Sequence, residues 1–280
     1  MRWAKGRRST NIEDRRGGRR VGRAAGIGGG AAILAAIAVM ILGGDPSTVI
    51  EMMGGSGGTG NQEELQTSPE EEQVKDFLSV VLADTEDTWG PIFQQAGYTY
   101  QPPNLVLYRQ STPTACGEGQ AAAGPFYCPG DRKLYLDLGF LSEMKRMGAE
   151  GDFALAYVIA HEVGHHIQTL VGTADQVRQM QARSGQVESN QLQVRMELQA
   201  DCFAGVWAHH AQQQRQILEP GDIEEGLGAA AAVGDDHLQR MAGRRVVPEA
   251  FTHGSSEQRI TWLKRGLQSG DLQACNTFQS

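Results

Sequence analysis

The chain has 280 residues, 40% of them hydrophobic and 21% charged, with a formal net charge of -8. That length and apolar fraction suit one medium domain plus appendages with a real core, and the acidic balance excludes a uniformly basic nucleic-acid-binding surface. The charge is split: residues 1–23 carry nine Lys/Arg against Glu13 and Asp14, and the remainder carries sixteen Lys/Arg against thirty-one Asp/Glu.

From the N-terminus, the basic stretch runs straight into an uncharged apolar segment, Ala24 to Gly44. At about 1.5 Å per residue, such a segment reaches roughly 30 Å, the hydrocarbon thickness of a bilayer. Arginines crowd one flank and Asp45-Pro46 stands at the other. The bias predicts a single transmembrane helix over 24–44. It leaves residues 1–23 in the cytoplasm and residues 45–280 at the periplasmic or extracellular face of the cell inner membrane. This order argues against a nucleic-acid arm. A cleaved signal peptide is the rival, but its basic region would be unusually long and no Ala-x-Ala site follows. Residues 45–69, with Gly54-Gly-Ser-Gly-Gly-Thr-Gly60, read as a flexible tether. Residues 70–280 remain as the folded domain.

A helix opens near Ser68-Pro69 and ends near Gly97, with Val74, Phe77, Leu78, Val81 and Leu82 at helical spacing. Strand-like runs follow at Leu105–Tyr108, Gly124–Cys128 and Lys133–Leu138, the last two flanking a turn at Pro129-Gly130-Asp131. The rest is mostly helical, over about 151–171, 190–217, 222–241 and 255–268. Ser255 and Gln258 form a capping-box signature at the last start. The four cysteines suit an oxidising compartment. Cys116 and Cys128 bracket a short Gly-containing segment and can form one disulfide, and Cys202 and Cys275 a second. Connectivity is not readable from sequence.

Chemistry concentrates in His161-Glu162-Val163-Gly164-His165. Histidines four apart on a helix point the same way and can grip one Zn²⁺, while the intervening glutamate reaches the zinc-bound water. Glu197-Leu-Gln-Ala-Asp201 supplies a second pair four apart on a later helix. Glu197 is placed as third ligand, and Asp201 is placed to accept the free N–H of a ligating histidine, His161. The bland alternative is a solvated acidic face, which the neighbouring Ala200, Phe203, Ala204 and Trp207 disfavour. His166 is not needed for this geometry. His209-His210 reads as exposed and His237 as part of a polar helix face. His253 and Arg259 are candidates to donate to a developing oxyanion, with helix capping and a salt bridge as the alternative.

The Arg-rich start with Asn11-Ile-Glu-Asp-Arg-Arg16, the apolar run, Gly124-Pro-Phe-Tyr-Cys-Pro129, His161–His166, Glu197–Asp201 and Thr252-His253…Arg259 together resemble the neutral zinc metallopeptidases of the YpfJ type. The resemblance covers essentially the whole chain except the tether. HtpX-type membrane proteases are similar more distantly, though they have several spans and face the cytoplasm. The resemblance implies a zincin-like α+β domain, predominantly helical with a small β-sheet. It also implies zinc on His161, His165 and Glu197, and substrate along an edge strand within 124–138. The expected function is therefore a membrane-anchored zinc endopeptidase with Glu162 as general base, acting on protein or peptide substrates, with no nucleic-acid partner. A catalytically silent, zinc-stabilised envelope binding protein is the alternative, and a secreted soluble hydrolase is a third.

Overall fold

The computed structural model describes residues 1–17, 67–120 and 124–278. Helix α1 (Pro69–Gln95) starts where Ser68 accepts the Glu71 amide and the Glu71 side chain accepts the Ser68 amide, with Pro69 at a position whose missing N–H costs nothing. It buries Phe77, Leu78, Val81, Leu82 and Trp89. A four-stranded sheet follows, in the order β1 (Ile12–Asp14), β2 (Asn104–Tyr108), β6 (Lys133–Asp137), β5 (Phe126–Cys128). The central strands β2 and β6 run parallel, and Leu105, Leu107, Leu134 and Leu136 are buried in the main core. Val106, Tyr108 and Tyr135 pack on the other face with Cys128. Continuous apolar runs are what strands covered on both faces require. Strand β5 is antiparallel to β6, and the turn at 129–131 joining them is held by Asp131, which accepts from Tyr135, Lys133 and Ala115.

A polar hairpin, β3 (Ser111–Thr114) with β4 (Gly117–Gln120), precedes β5. Its Ser-Thr-Pro-Thr and Gly-Glu-Gly-Gln strands carry no apolar alternation, so the sequence does not announce it. The Cys116–Cys128 disulfide pins this hairpin to the end of β5.

Two long helices, α3 (Asp152–Leu170) and α5 (Gln186–Arg215), carry the candidate site. Short helices α2 (Phe140–Arg146) and α4 (Thr173–Gln181) were not anticipated. The α3–α5 approach depends on Gly164, where a Cβ would lie 2.9 Å from the Ala200 carbonyl oxygen. The expected helix over 222–241 is two helices, α6 (Asp222–Ala232) and α7 (Asp235–Met241). The break falls at Gly234, whose absent side chain leaves room for the start of α8 (Ser256–Ser269): a Cβ there would sit 2.4 Å from the Ser256 nitrogen. The capping box of α8 forms as expected from Ser255 and Gln258.

Helices α5 and α8 pack together, and the Cys202–Cys275 disulfide ties α5 to the short turn Leu272–Cys275 just after α8. They touch backbone to backbone through Gly205 and Gly266, where added Cβ atoms would come within 2.2 Å and 1.9 Å of neighbouring carbonyl oxygens. Replacing Gly266 by Leu is expected to cost about 3 kcal/mol or more, since overpacking of a tight contact typically costs 1–3. An unchanged urea midpoint would show that these helices can part freely.

One sequence expectation is corrected. The described part of the basic segment 1–23 is not a separate appendage but belongs to the same compact unit as Thr67 onward. β1 pairs in parallel with β2, Ile12 opposite Leu105. Arg16 is fully buried in an ion pair with Asp14 and Glu72. Arg7 binds Glu86 and Asp87, and Arg8 binds Asp76, along α1. The sequence predicts arginines that flank a membrane span, whereas most of the described ones neutralise the acidic face of α1. Among the described residues no helix is long and apolar enough to cross a membrane. The expected span Ala24–Gly44 and nearly all of the tether lie outside the described residues.

Candidate metal centre

His161 and His165 lie one turn apart on α3, their ring centroids 4.8 Å from each other. Glu197 on α5 faces both, with Oε2 3.2 Å from His161 Nε2 and Oε1 3.6 Å from His165 Nε2. A tetrahedral site with bonds of about 2.0–2.1 Å has ligand–ligand edges of roughly 3.3 Å. The two imidazole nitrogens and the carboxylate oxygen all lie within 4.8 Å of one another. This donor set, two neutral nitrogens and one oxygen, is one that zinc accepts, with room for a fourth ligand. Electrostatics point the same way. Burial opposes ionisation of Glu197, yet His165 and His161 hold its carboxyl well below the usual range. Burial likewise lowers His161, but the Asp201 and Glu197 carboxylates outweigh it and lift the imidazole to about 9. The pocket is built to hold positive charge.

Behind the histidines, each ring is held by its other nitrogen. His161 Nδ1 is 2.8 Å from Asp201 Oδ1, and His165 Nδ1 is 2.8 Å from Gln168 Oε1. Asp201 is fully buried and is gripped by Arg259, whose Nε and Nη2 each donate at 2.9 Å. Tyr157 donates to Asp201 at 2.6 Å and accepts from Arg259 Nη2 at 3.1 Å. Gln193 donates to Glu197 Oε1 at 2.9 Å. Tyr157 and Gln193 stand four residues before His161 and Glu197, the helical spacing that puts them on the site's face and could have revealed them. Arg259 thus braces the rear of His161, a different post from the oxyanion role anticipated for it. Such outer partners typically matter 10–100-fold to metal affinity. Asp201→Asn is expected to weaken zinc binding by about that factor in a chelator competition. An unaltered affinity would show that His161 holds its orientation without Asp201.

Glu162 is buried beside these residues and is not among the three converging groups. Burial pushes its carboxyl up, opposed by His165, His161 and a backbone hydrogen bond from Tyr127 on β5. Phe126 and Tyr127 of β5 line the cleft beside it. The cleft in front measures about 1030 Å³ and runs from Phe126 and Tyr127 past His161 and Glu162 to Val177 and Met196. His253 lines it, with Nδ1 3.2 Å from Asp235 Oδ1.

His166, His209 and His210 are structural. His166 is buried, with Nε2 2.7 Å from the Gln101 carbonyl and Nδ1 3.1 Å from the Tyr127 hydroxyl. Burial lowers its pKa to about 4, so it stays neutral and braces β5 from behind. His209 and His210, expected to be exposed, are half-buried and bond the Leu267 and Gly270 carbonyls at the end of α8. His237 stands apart from the cluster.

The profile of a family described as "Putative neutral zinc metallopeptidase" matches residues 1–278. The chain is 51% identical to the uncharacterised protein YpfJ of Escherichia coli K12, covering 99% of each chain. It is 42% identical to an uncharacterised protein of Mycobacterium bovis, over 69% of this chain and 66% of that one. No solved structure matches.

Proposed function

The chain belongs to the putative neutral zinc metallopeptidase family, and from that membership and the geometry of the cleft we propose that it is a zinc endopeptidase acting on extended protein or peptide segments. The observation that carries this reading is a buried carboxylate, Glu162, set against the two-histidine, one-glutamate cluster yet left out of it. A purely structural metal site has no use for such a group. Zinc, when bound by His161, His165 and Glu197, acidifies a water and polarises a carbonyl.

Glu162 accepts the proton of the attacking water on its carboxylate and delivers it to the departing amine nitrogen. Tyr157, Asp201 and Arg259 hold His161 in its ligand orientation, and Gln168 does the same for His165. The substrate backbone lies along β5, an edge strand whose Phe126 and Tyr127 line the cleft. His253 Nε2, the ring nitrogen turned away from Asp235, donates to the oxygen that gains charge. Two disulfides support a compartment outside the cytoplasm, and the apolar run at 24–44 supports contact with a membrane from that same side.

The test is incubation of the full chain with a proteome-derived peptide library, with and without chelator. Chelator-sensitive internal cleavage is the expected result. Zinc-loaded protein that cuts nothing would move the reading to a binding protein.

A further inference from the structure

We propose that Asp235 is a positioning residue that fixes His253 as the cleft's hydrogen-bond donor to the developing oxyanion. The proposal rests on the peptidase reading. Asp235 opens α7, and its carboxylate reaches across to the segment before α8. Oδ2 accepts the amides of Thr252, His253 and Gly254 at 2.7, 2.6 and 3.0 Å. Oδ1 faces His253 Nδ1 at 3.2 Å, and the Asp235 amide returns a bond to the Gly254 carbonyl at 2.9 Å. Next to it, Asp236 Oδ1 accepts both the amide and the hydroxyl of Ser256. Gly234 lets these strands of chain close up, and Gly254 supplies a turn at φ +91°.

The clasp reaches the imidazole as well as the backbone. Nδ1 stands 3.2 Å from both Asp235 Oδ1 and the Thr252 hydroxyl, and a proton held there toward Asp235 leaves Nε2 for the cleft that His253 lines. The charged groups acting on this ring are Asp235 from α7, Glu197 from α5 and Arg259 from α8. The hydrogen bond to Asp235 is the largest influence and raises the pKa against burial, which favours the doubly protonated donor. It is lost as pH rises through that raised value.

The test uses ¹⁵N-histidine-labelled full chain, with the His253 signal assigned by its loss in His253→Asn. In the wild type, neutral His253 should carry its proton on Nδ1 and titrate above the ordinary value of about 6.5. Asp235→Asn should bring that titration down toward 6.5 and move the alkaline limb of kcat/KM the same way. His253→Asn should lower kcat by about 10²–10³-fold, the usual loss for one oxyanion donor. The double variant should be no slower than His253→Asn alone, because Asp235 acts through that ring. An Nε2–H tautomer in the wild type, or additive losses in the double variant, would overturn the proposal, and neither readout requires Asp235→Asn to be as stable as wild type. If the wild type cleaves nothing, the donor role falls with the peptidase reading, while the NMR titration still decides whether Asp235 controls the ring.

A second inference comes from the N-terminal strand. We infer that residues 1–16 and 67–278 stand on the same side of any bilayer this chain meets. β1 is hydrogen-bonded to β2 in register, Ile12 to Leu105 through Asp14 to Leu107. Arg16 and Glu72, which flank the excursion between them, touch at 2.7 Å. A single crossing by 24–44 would place those partners on opposite sides of about 30 Å of hydrocarbon. Returning through 45–66 would carry Asp45, Glu51, Glu63 and Glu64 across as well, which costs a few kcal/mol for each charge. The expected arrangement, N-terminus inside and domain outside, is therefore incompatible with this sheet.

Lys5→Cys and Glu188→Cys, both at exposed positions, should react alike with a membrane-impermeant maleimide on spheroplasts, either both or neither. Labelling of one and not the other in the zinc-loaded protein would overturn the inference.

Discussion

Glu162→Gln should retain zinc, fold and melting temperature while losing about 10²–10⁴-fold in turnover, the usual contribution of positioned acid–base catalysis. At 1.36 kcal/mol per decade, that corresponds to about 3–5 kcal/mol of barrier. Zinc retention is expected because the converging donors are His161, His165 and Glu197, and Glu162 is not one of them. Retention of fold is expected because the amide is nearly isosteric and the site is already buried, so no cavity opens. The amide can still receive the Tyr127 backbone hydrogen bond on its oxygen, but it cannot take a proton from water. The measurement is cleavage rate beside zinc content and thermal midpoint for both proteins. Wild-type turnover in the variant would remove Glu162 from the mechanism. Loss of zinc would mean that it is a ligand.

The second large effect concerns the metal itself. His161→Ala, His165→Ala and Glu197→Ala should each abolish stoichiometric zinc and all chelator-sensitive activity. Wild type should also gain stability from zinc, by about 4 kcal/mol when free metal stands a thousandfold above its Kd. The variants should gain little. Glu197→Ala tests a further point, because Glu197 is held ionised while buried against two histidines. Without metal, Glu197→Ala takes away the carboxylate that faces the two imidazoles, and truncating Asp201 would strand the buried Arg259, each at the several kcal/mol usual for a broken buried ion pair. Elemental analysis and thermal shifts with added zinc are the readouts. Full zinc occupancy in all three variants would overturn the ligand assignment.

Local rules made much of this protein legible. Helical periodicity places His161 and His165 on one face of α3, and Glu197 and Asp201 on one face of α5, because a four-residue step is about one turn. Ser68 and Ser255 mark two helix starts through caps that depend on only three following residues. The four cysteines suggest two bridges, but which sulfurs pair was settled only by the fold, Cys116 with Cys128 and Cys202 with Cys275. What the chain order could not reveal are encounters between distant segments. Arg259 meets Asp201 across 58 residues, Asp235 meets His253 across 18, and Ile12 pairs with Leu105 across the undescribed region. Each of those residues, read alone, is an ordinary charged or strand-forming side chain. The arginines at the start are the clearest case. A run of positive charge before an apolar stretch has the same sequence whether it faces lipid headgroups or the acidic flank of α1. Only the close approach of Arg7, Arg8 and Arg16 to Glu86, Asp87, Asp76, Asp14 and Glu72 decides between them. Local sequence sets which face a helix presents, and packing decides what that face meets, because charge pairing and burial act over ångströms in space rather than residues along the chain.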